Sequence, residues 1–153
     1  MEVWATDPVV QAHEIQKAGV KPATLDALLE SCRAITLHVP LTPRTERLIG
    51  ARELALMPHG AFLVNTARAG LVDGDAVQAA LESGQLGGAA VDVLAVEPPT
   101  AEHPAPTHPR LIVTPHSAWY SPESEREVYR RATLAVKAVL EGREPDGAVT
   151  SAR

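Results

Sequence analysis

The chain has 153 residues, 19 acidic and 14 basic side chains for a formal net charge of −5, 45% hydrophobic residues and one cysteine. That balance suits one globular domain and speaks against disorder, a phosphate-backbone partner, a disulfide framework or a cysteine-rich metal site. No basic segment leads into an apolar stretch at the N-terminus and no apolar run is long enough to span a bilayer, so a cytoplasmic protein with neither nucleic acid nor membrane as partner is expected.

Five aromatic residues leave Val, Leu, Ile and Ala to build the core, a composition typical of parallel strands buried under helices. In chain order, residues 2–6 form a strand candidate stopped at Asp7-Pro8. Residues 9–19 are ambiguous and end at Gly19. Thr24 caps a helix whose apolar positions Leu25, Leu28, Leu29 and Cys32 follow helical spacing. Residues 34–39 read as a buried strand ended by Pro40, and residues 45–57 as one or two short helices. Residues 61–65 form the next strand. Asp73 then caps a helix with Ala76, Val77, Ala80 and Leu81 on one face and Gly84 at its end. Residues 87–93 are a further aliphatic strand, followed by a loop holding five of the thirteen prolines. Residues 111–113 give a last strand. Ser121 and Pro122 open a closing helix whose inner face is expected to carry Val128, Ala132, Ala135, Val136, Val139 and Leu140, with Gly142 as its stop. This alternation predicts an α/β doubly wound parallel sheet, residues 1–142 forming the domain and residues 143–153 a tail.

Ligands of open parallel sheets bind beyond the carboxyl ends of the strands. The residues that fall there are Asp7, Val39-Pro40, Asn65 to Arg68, Asp92 with Glu97 beyond it, and Thr114 to His116. An arginine, acids and a histidine thus share one rim. Each alone reads as a solvated loop group; the coincidence is what points to a site.

The stretches GAFLVNTARAGLVDGDAVQAALESGQLGGAAVDVLAVEPP (60–99), LIVTPHSAW (111–119) and ITLHVPLTPRTERLI (35–49) resemble the signature segments of D-isomer-specific 2-hydroxyacid dehydrogenases. The ending from His116 to Ser121 is similar to the phosphoglycerate-dehydrogenase and C-terminal-binding-protein branches. The resemblance spans about residues 1–141. It implies a Rossmann-like NAD-binding domain and hydride transfer between NAD(H) and a small 2-hydroxy or 2-oxo acid. Arg68 would clamp the carboxylate and keto oxygen of the substrate, since a guanidinium fork matches two planar acceptors. His116 would be the general acid or base, and Glu97 would orient its imidazole and favour the protonated form. Asp7 would accept from the adenine ribose hydroxyls and repel a 2′-phosphate, favouring NAD over NADP. Val39, Pro40 and Thr45 would line the adenine side, while Thr66, Ala67, Asp92, His116 and Ala118 would surround the nicotinamide. No metal is implied, and the family's habit implies a homodimer.

The chain departs from the family's pattern upstream. It opens at what resembles the second strand of the nucleotide domain, and no Gly-x-Gly-x-x-Gly occurs in its 153 residues. The expectation is a partial, truncated domain lacking the first strand and the pyrophosphate turn, with two open sheet edges, marginal stability and impaired activity. Two other readings stand beside the dehydrogenase. One is an NAD-sensing, corepressor-like binding module suggested by the Trp119 segment, and the other is a non-functional truncated product.

Overall fold

A computed structural model describes residues 1–148. The chain divides into two compact units, Met1–His116 and Ser117–Arg153. All strand pairing is parallel, as the alternation of strands and helices requires.

In the first unit, β1 (Trp4–Ala5) pairs with β2 (Lys21–Pro22) around α1 (Ala12–Lys17). Neither β2 nor α1 was legible beforehand: one is two residues long and contains proline, the other has six residues and buries none of them. α2 (Leu25–Ser31) starts where Thr24 Oγ1 accepts the Ala27 N–H at 3.3 Å. The main sheet has the order β3-β4-β5-β6, from β3 (Ala34–Leu37), β4 (Ala61–Asn65), β5 (Leu86–Val91) and β6 (Leu111–Val113). β1 and β2 form a separate two-stranded sheet, and β3 takes only β4 as neighbour among the described residues.

α3 (Ala51–Leu56) and α4 (Gly74–Ser83) cross between the strands, and their apolar faces meet one side of the sheet. Leu29, Leu54, Leu63, Leu71, Leu81 and Leu86 are fully buried there, each contributing about 1.5–3 kcal/mol through removal of apolar surface from water. The other side exposes Phe62 and Ile112. Gly87 is required where β5 enters the sheet, since a Cβ there would lie 2.4 Å from the Gly60 carbonyl oxygen. The proline-rich segment after β5 has no regular element. Its far end is tied down by the Arg110 guanidinium, which donates to the Leu81 carbonyl at the end of α4.

The second unit is built on α5 (Pro122–Leu140), capped by Ser121 Oγ accepting the Ser124 N–H at 3.1 Å. Its expected inner face is a misreading. Val128, Val136, Val139 and Leu140 are all more than half exposed, and Ala138 is the residue of α5 that is buried. Helical periodicity locates an apolar stripe but supplies nothing to cover it. Of the expected tail, residues 143–148 carry turns and no helix or strand, and residues 149–153 lie outside the described residues.

Candidate active site

The sheet register builds the rim. Leu37 pairs with Asn65, Asn65 with Val91, and Val91 with Val113, so four strands end level. With strands about 4.8 Å apart, Asn65 and Val113 stand only about 10 Å from each other. Arg68 follows the end of β4 by three residues, Asp92 follows β5 directly, and Thr114 and His116 follow β6.

The pairing of acid and imidazole is explicit. Glu97 Oε2 lies 2.7 Å from His116 Nδ1, while Glu97 Oε1 accepts the Leu94 N–H at 2.6 Å. The hydrogen bond from His116, and then that from Leu94, hold the Glu97 carboxyl below its ordinary range, with the charge of Asp92 acting in the opposite sense. An ionised carboxylate only accepts, so the imidazole carries its proton on Nδ1 toward Glu97. His116 itself sits at φ +53, where its N–H donates to the Thr114 carbonyl at 3.0 Å. Both partners line a cavity of about 240 Å³ with Leu94, Thr114 and Pro115. A larger cavity of about 550 Å³, lined by Val72, Val77, Gln78, Val93 and Pro104, contains neither of them. The acid–imidazole pair lies at the smaller one.

Arg68 is exposed, and its guanidinium donates to the Ala67 carbonyl at 2.6 Å. It thus reaches the same rim but is folded against its own chain. Asp92 is 3% exposed and accepts from the Thr114 hydroxyl. Thr66 is exposed and Ala67 half-buried, both at the end of β4. In the separate two-stranded sheet, Asp7 follows β1, and its Oδ1 accepts the N–H groups of Val9 at 2.7 Å and Val10 at 2.9 Å. Those two bonds, Val10's the larger, keep the Asp7 carboxyl below its usual range. Thr45 closes the turn after β3, donating to the Pro40 carbonyl at 2.7 Å, and Val39 packs on the core. Ala118 is exposed and belongs to the second unit. Among the described residues no group of three metal-ligating side chains occurs, and no helix is long and apolar enough to cross a membrane.

Asn65 falls at the rim in the sequence reading but is given no role there. With Asp92 it makes up the buried polar side chains among the described residues, and it is 1% exposed. The available signal was an amide residue closing an otherwise apolar strand three positions before an arginine.

The donor set suits NAD at its two ends. Carboxylates at positions 7 and 92 can accept from ribose hydroxyls and a carboxamide, and the turn after β3 offers apolar Val39 and Pro40. No Gly-x-Gly-x-x-Gly segment occurs among these 153 residues. Comparison with known proteins gives the same domain. The chain is 45% identical over 121 residues to the glycerate dehydrogenase of Methylorubrum extorquens, covering 78% of this chain and 38% of that protein. It is 36% identical over 142 residues to the D-3-phosphoglycerate dehydrogenase of Bacillus subtilis, covering 93% and 27%. Among solved structures, a D-isomer specific 2-hydroxyacid dehydrogenase from Lactobacillus delbrueckii ssp. bulgaricus in its NAD complexed form superposes with a TM-score of 0.83 at 30% identity, covering 97% of this chain and 48% of that one. The chain therefore spans less than half the length of these relatives. Residues 1–118 match the family described as D-isomer specific 2-hydroxyacid dehydrogenase, NAD binding domain, and the chain belongs to that family.

Proposed function

We propose that these residues form the NAD-binding part of a cytoplasmic dehydrogenase acting on a small 2-oxo or 2-hydroxy acid, with Arg68, Glu97 and His116 as its catalytic groups. The observation that carries the reading is the 2.7 Å contact between Glu97 and His116 at the strand ends. Asp7, Val39, Pro40 and Thr45 would hold the adenosine half of the cofactor, and Thr66, Ala67, Asp92, His116 and Ala118 the nicotinamide half. When bound, NADH supplies the hydride that the C2 carbon of the 2-oxo acid accepts. With Nδ1 held by Glu97, the imidazole exchanges its proton with the substrate oxygen at Nε2. Glu97 fixes the ring and offsets the charge it carries as an imidazolium. Arg68 turns from the Ala67 carbonyl to present its fork to the substrate carboxylate and keto oxygen, fixing C2 in one orientation. In the direction of alcohol oxidation the same imidazole receives the proton.

The test is an NADH absorbance assay with glyoxylate, hydroxypyruvate and phenylpyruvate. It is run on this chain and on a graft in which the chain replaces the matching segment of the Methylorubrum extorquens glycerate dehydrogenase. Turnover by the graft that falls by about 100-fold or more on His116→Ala supports the assignment. A graft that does not turn over, or keeps its rate without the imidazole, overturns it.

A further inference from the structure

We propose that Asn65 is a positioning residue for Arg68, setting the backbone from which the guanidinium reaches the substrate; this deepens the reading above and rests on it. Asn65 ends β4 with its side chain 1% exposed, so its amide must find partners inside the protein. It finds them in the loop that carries Arg68. Asn65 Oδ1 accepts the Ala67 N–H at 3.0 Å, and Asn65 Nδ2 donates to the Arg68 carbonyl at 2.8 Å. One side chain thus grips the backbone on both sides of the Ala67–Arg68 peptide.

The same Arg68 carbonyl accepts the Leu71 N–H at 3.2 Å, opening the 3₁₀ turn Ala69–Leu71. From there the chain is pinned to the segment after β3. Arg47 N–H donates to the Gly70 carbonyl at 2.7 Å, Ile49 N–H to the Leu71 carbonyl at 3.0 Å, and Asp73 N–H to the Ile49 carbonyl at 3.0 Å. Gly70 also lies against Leu41, whose Cδ2 would stand 2.9 Å from a Cβ placed there. The far side of the loop is therefore fixed by backbone pairing, and its near side by the Asn65 amide. Arg68 sits between these anchors in extended conformation, with its side chain exposed and bonded to the neighbouring Ala67 carbonyl. A flexible side chain on a fixed backbone can turn from the Ala67 carbonyl to a ligand without moving its root. The long lever of an arginine makes the root matter, because a small tilt at Cα becomes a displacement of an ångström or more at the guanidinium.

The experiment compares Asn65→Ala and Asn65→Asp with the parent in the grafted enzyme. Aspartate keeps the acceptor for Ala67 and removes the donor to the Arg68 carbonyl. Both variants are expected to raise KM for the 2-oxo acid about tenfold or more while NADH affinity stays within about twofold. In an Arg68→Gln background the same Asn65 changes are expected to alter KM by less than about twofold, because the group being positioned has gone. An equal loss in both backgrounds, or an unchanged KM, overturns the proposal. A parent graft without turnover would instead sink the dehydrogenase reading. A second measurement does not depend on activity. In this chain, Asn65→Ala should speed hydrogen exchange at the Ala67 and Leu71 amides, and unaltered exchange at both would overturn the positioning role by itself.

Discussion

α4 and α5 are written in the same local language and end up in different surroundings. Each opens with a side-chain cap, Asp73 accepting the Ala76 N–H at 3.1 Å and Ser121 accepting the Ser124 N–H at 3.1 Å. Each is followed by a glycine at positive φ, +83 at Gly84 and +71 at Gly142. Yet α4 buries Val77, Ala80 and Leu81, whereas α5 buries Ala138 and leaves Val128, Val136, Val139 and Leu140 in solvent. The difference separates two questions that a periodic pattern merges. Caps and stops decide where a helix begins and ends; a facing surface decides whether its apolar stripe contributes to stability. α5 leans instead on its own surface, where Glu127 pairs with Arg130 and Arg131 at 2.7 and 2.6 Å.

The largest expected effect tests that contrast directly. Leu81→Ala should cost about 2–5 kcal/mol in urea unfolding, as a fully buried leucine does. Leu140→Ala, at a position 82% exposed, should cost less than about 0.5 kcal/mol. A loss at Leu140 as large as that at Leu81 would mean the α5 stripe is covered in solution. The caps should behave alike despite the difference in burial. Asp73→Ala and Ser121→Ala are each expected to lower stability by about 1 kcal/mol, read from thermal melts by circular dichroism. A cap effect confined to one helix would break the parallel.

The smallest effects are electrostatic. Glu127 is held at about 2 by Arg130 and then Arg131, against an ordinary 4.5. A carboxylate lowered in the folded state stabilises above its ordinary value and loses that contribution as pH falls through the folded one. The helical signal of α5 should therefore weaken between about pH 4.5 and 2, and Glu127→Gln should flatten that change. Glu97 carries the same sign through His116 and Leu94. Carbon NMR titration should show its midpoint rising toward 4.5 in His116→Ala, with the Glu127 midpoint unmoved.

The parts of the fold legible from sequence were those whose cause is local. Thr24, Asp73 and Ser121 announced helix starts because a cap acts within three residues, and the strands β3 to β6 were visible as short aliphatic runs. The two-residue β2 was not, because Lys21-Pro22 owes its strand geometry to pairing with Trp4-Ala5. At the site, Arg68, Glu97 and His116 stood out as reactive side chains at strand ends. Asn65 did not, because its role exists only once the Thr66–Leu71 backbone curls back within reach of its amide. The orientation of Arg68 toward the Ala67 carbonyl was equally out of reach, being a rotamer choice that no spacing encodes.

The irregular segment between β5 and β6 is fastened near both ends. Glu97 is gripped by Leu94 and His116 at its start, and Arg110 is latched onto the last turn of α4 at its finish. A strap buckled at two points can change length or content between the buckles without dragging on either. The stretch from Thr100 to Thr107 is thus where this domain can absorb insertions, tags or a labelled probe while the acid–imidazole pair keeps its geometry.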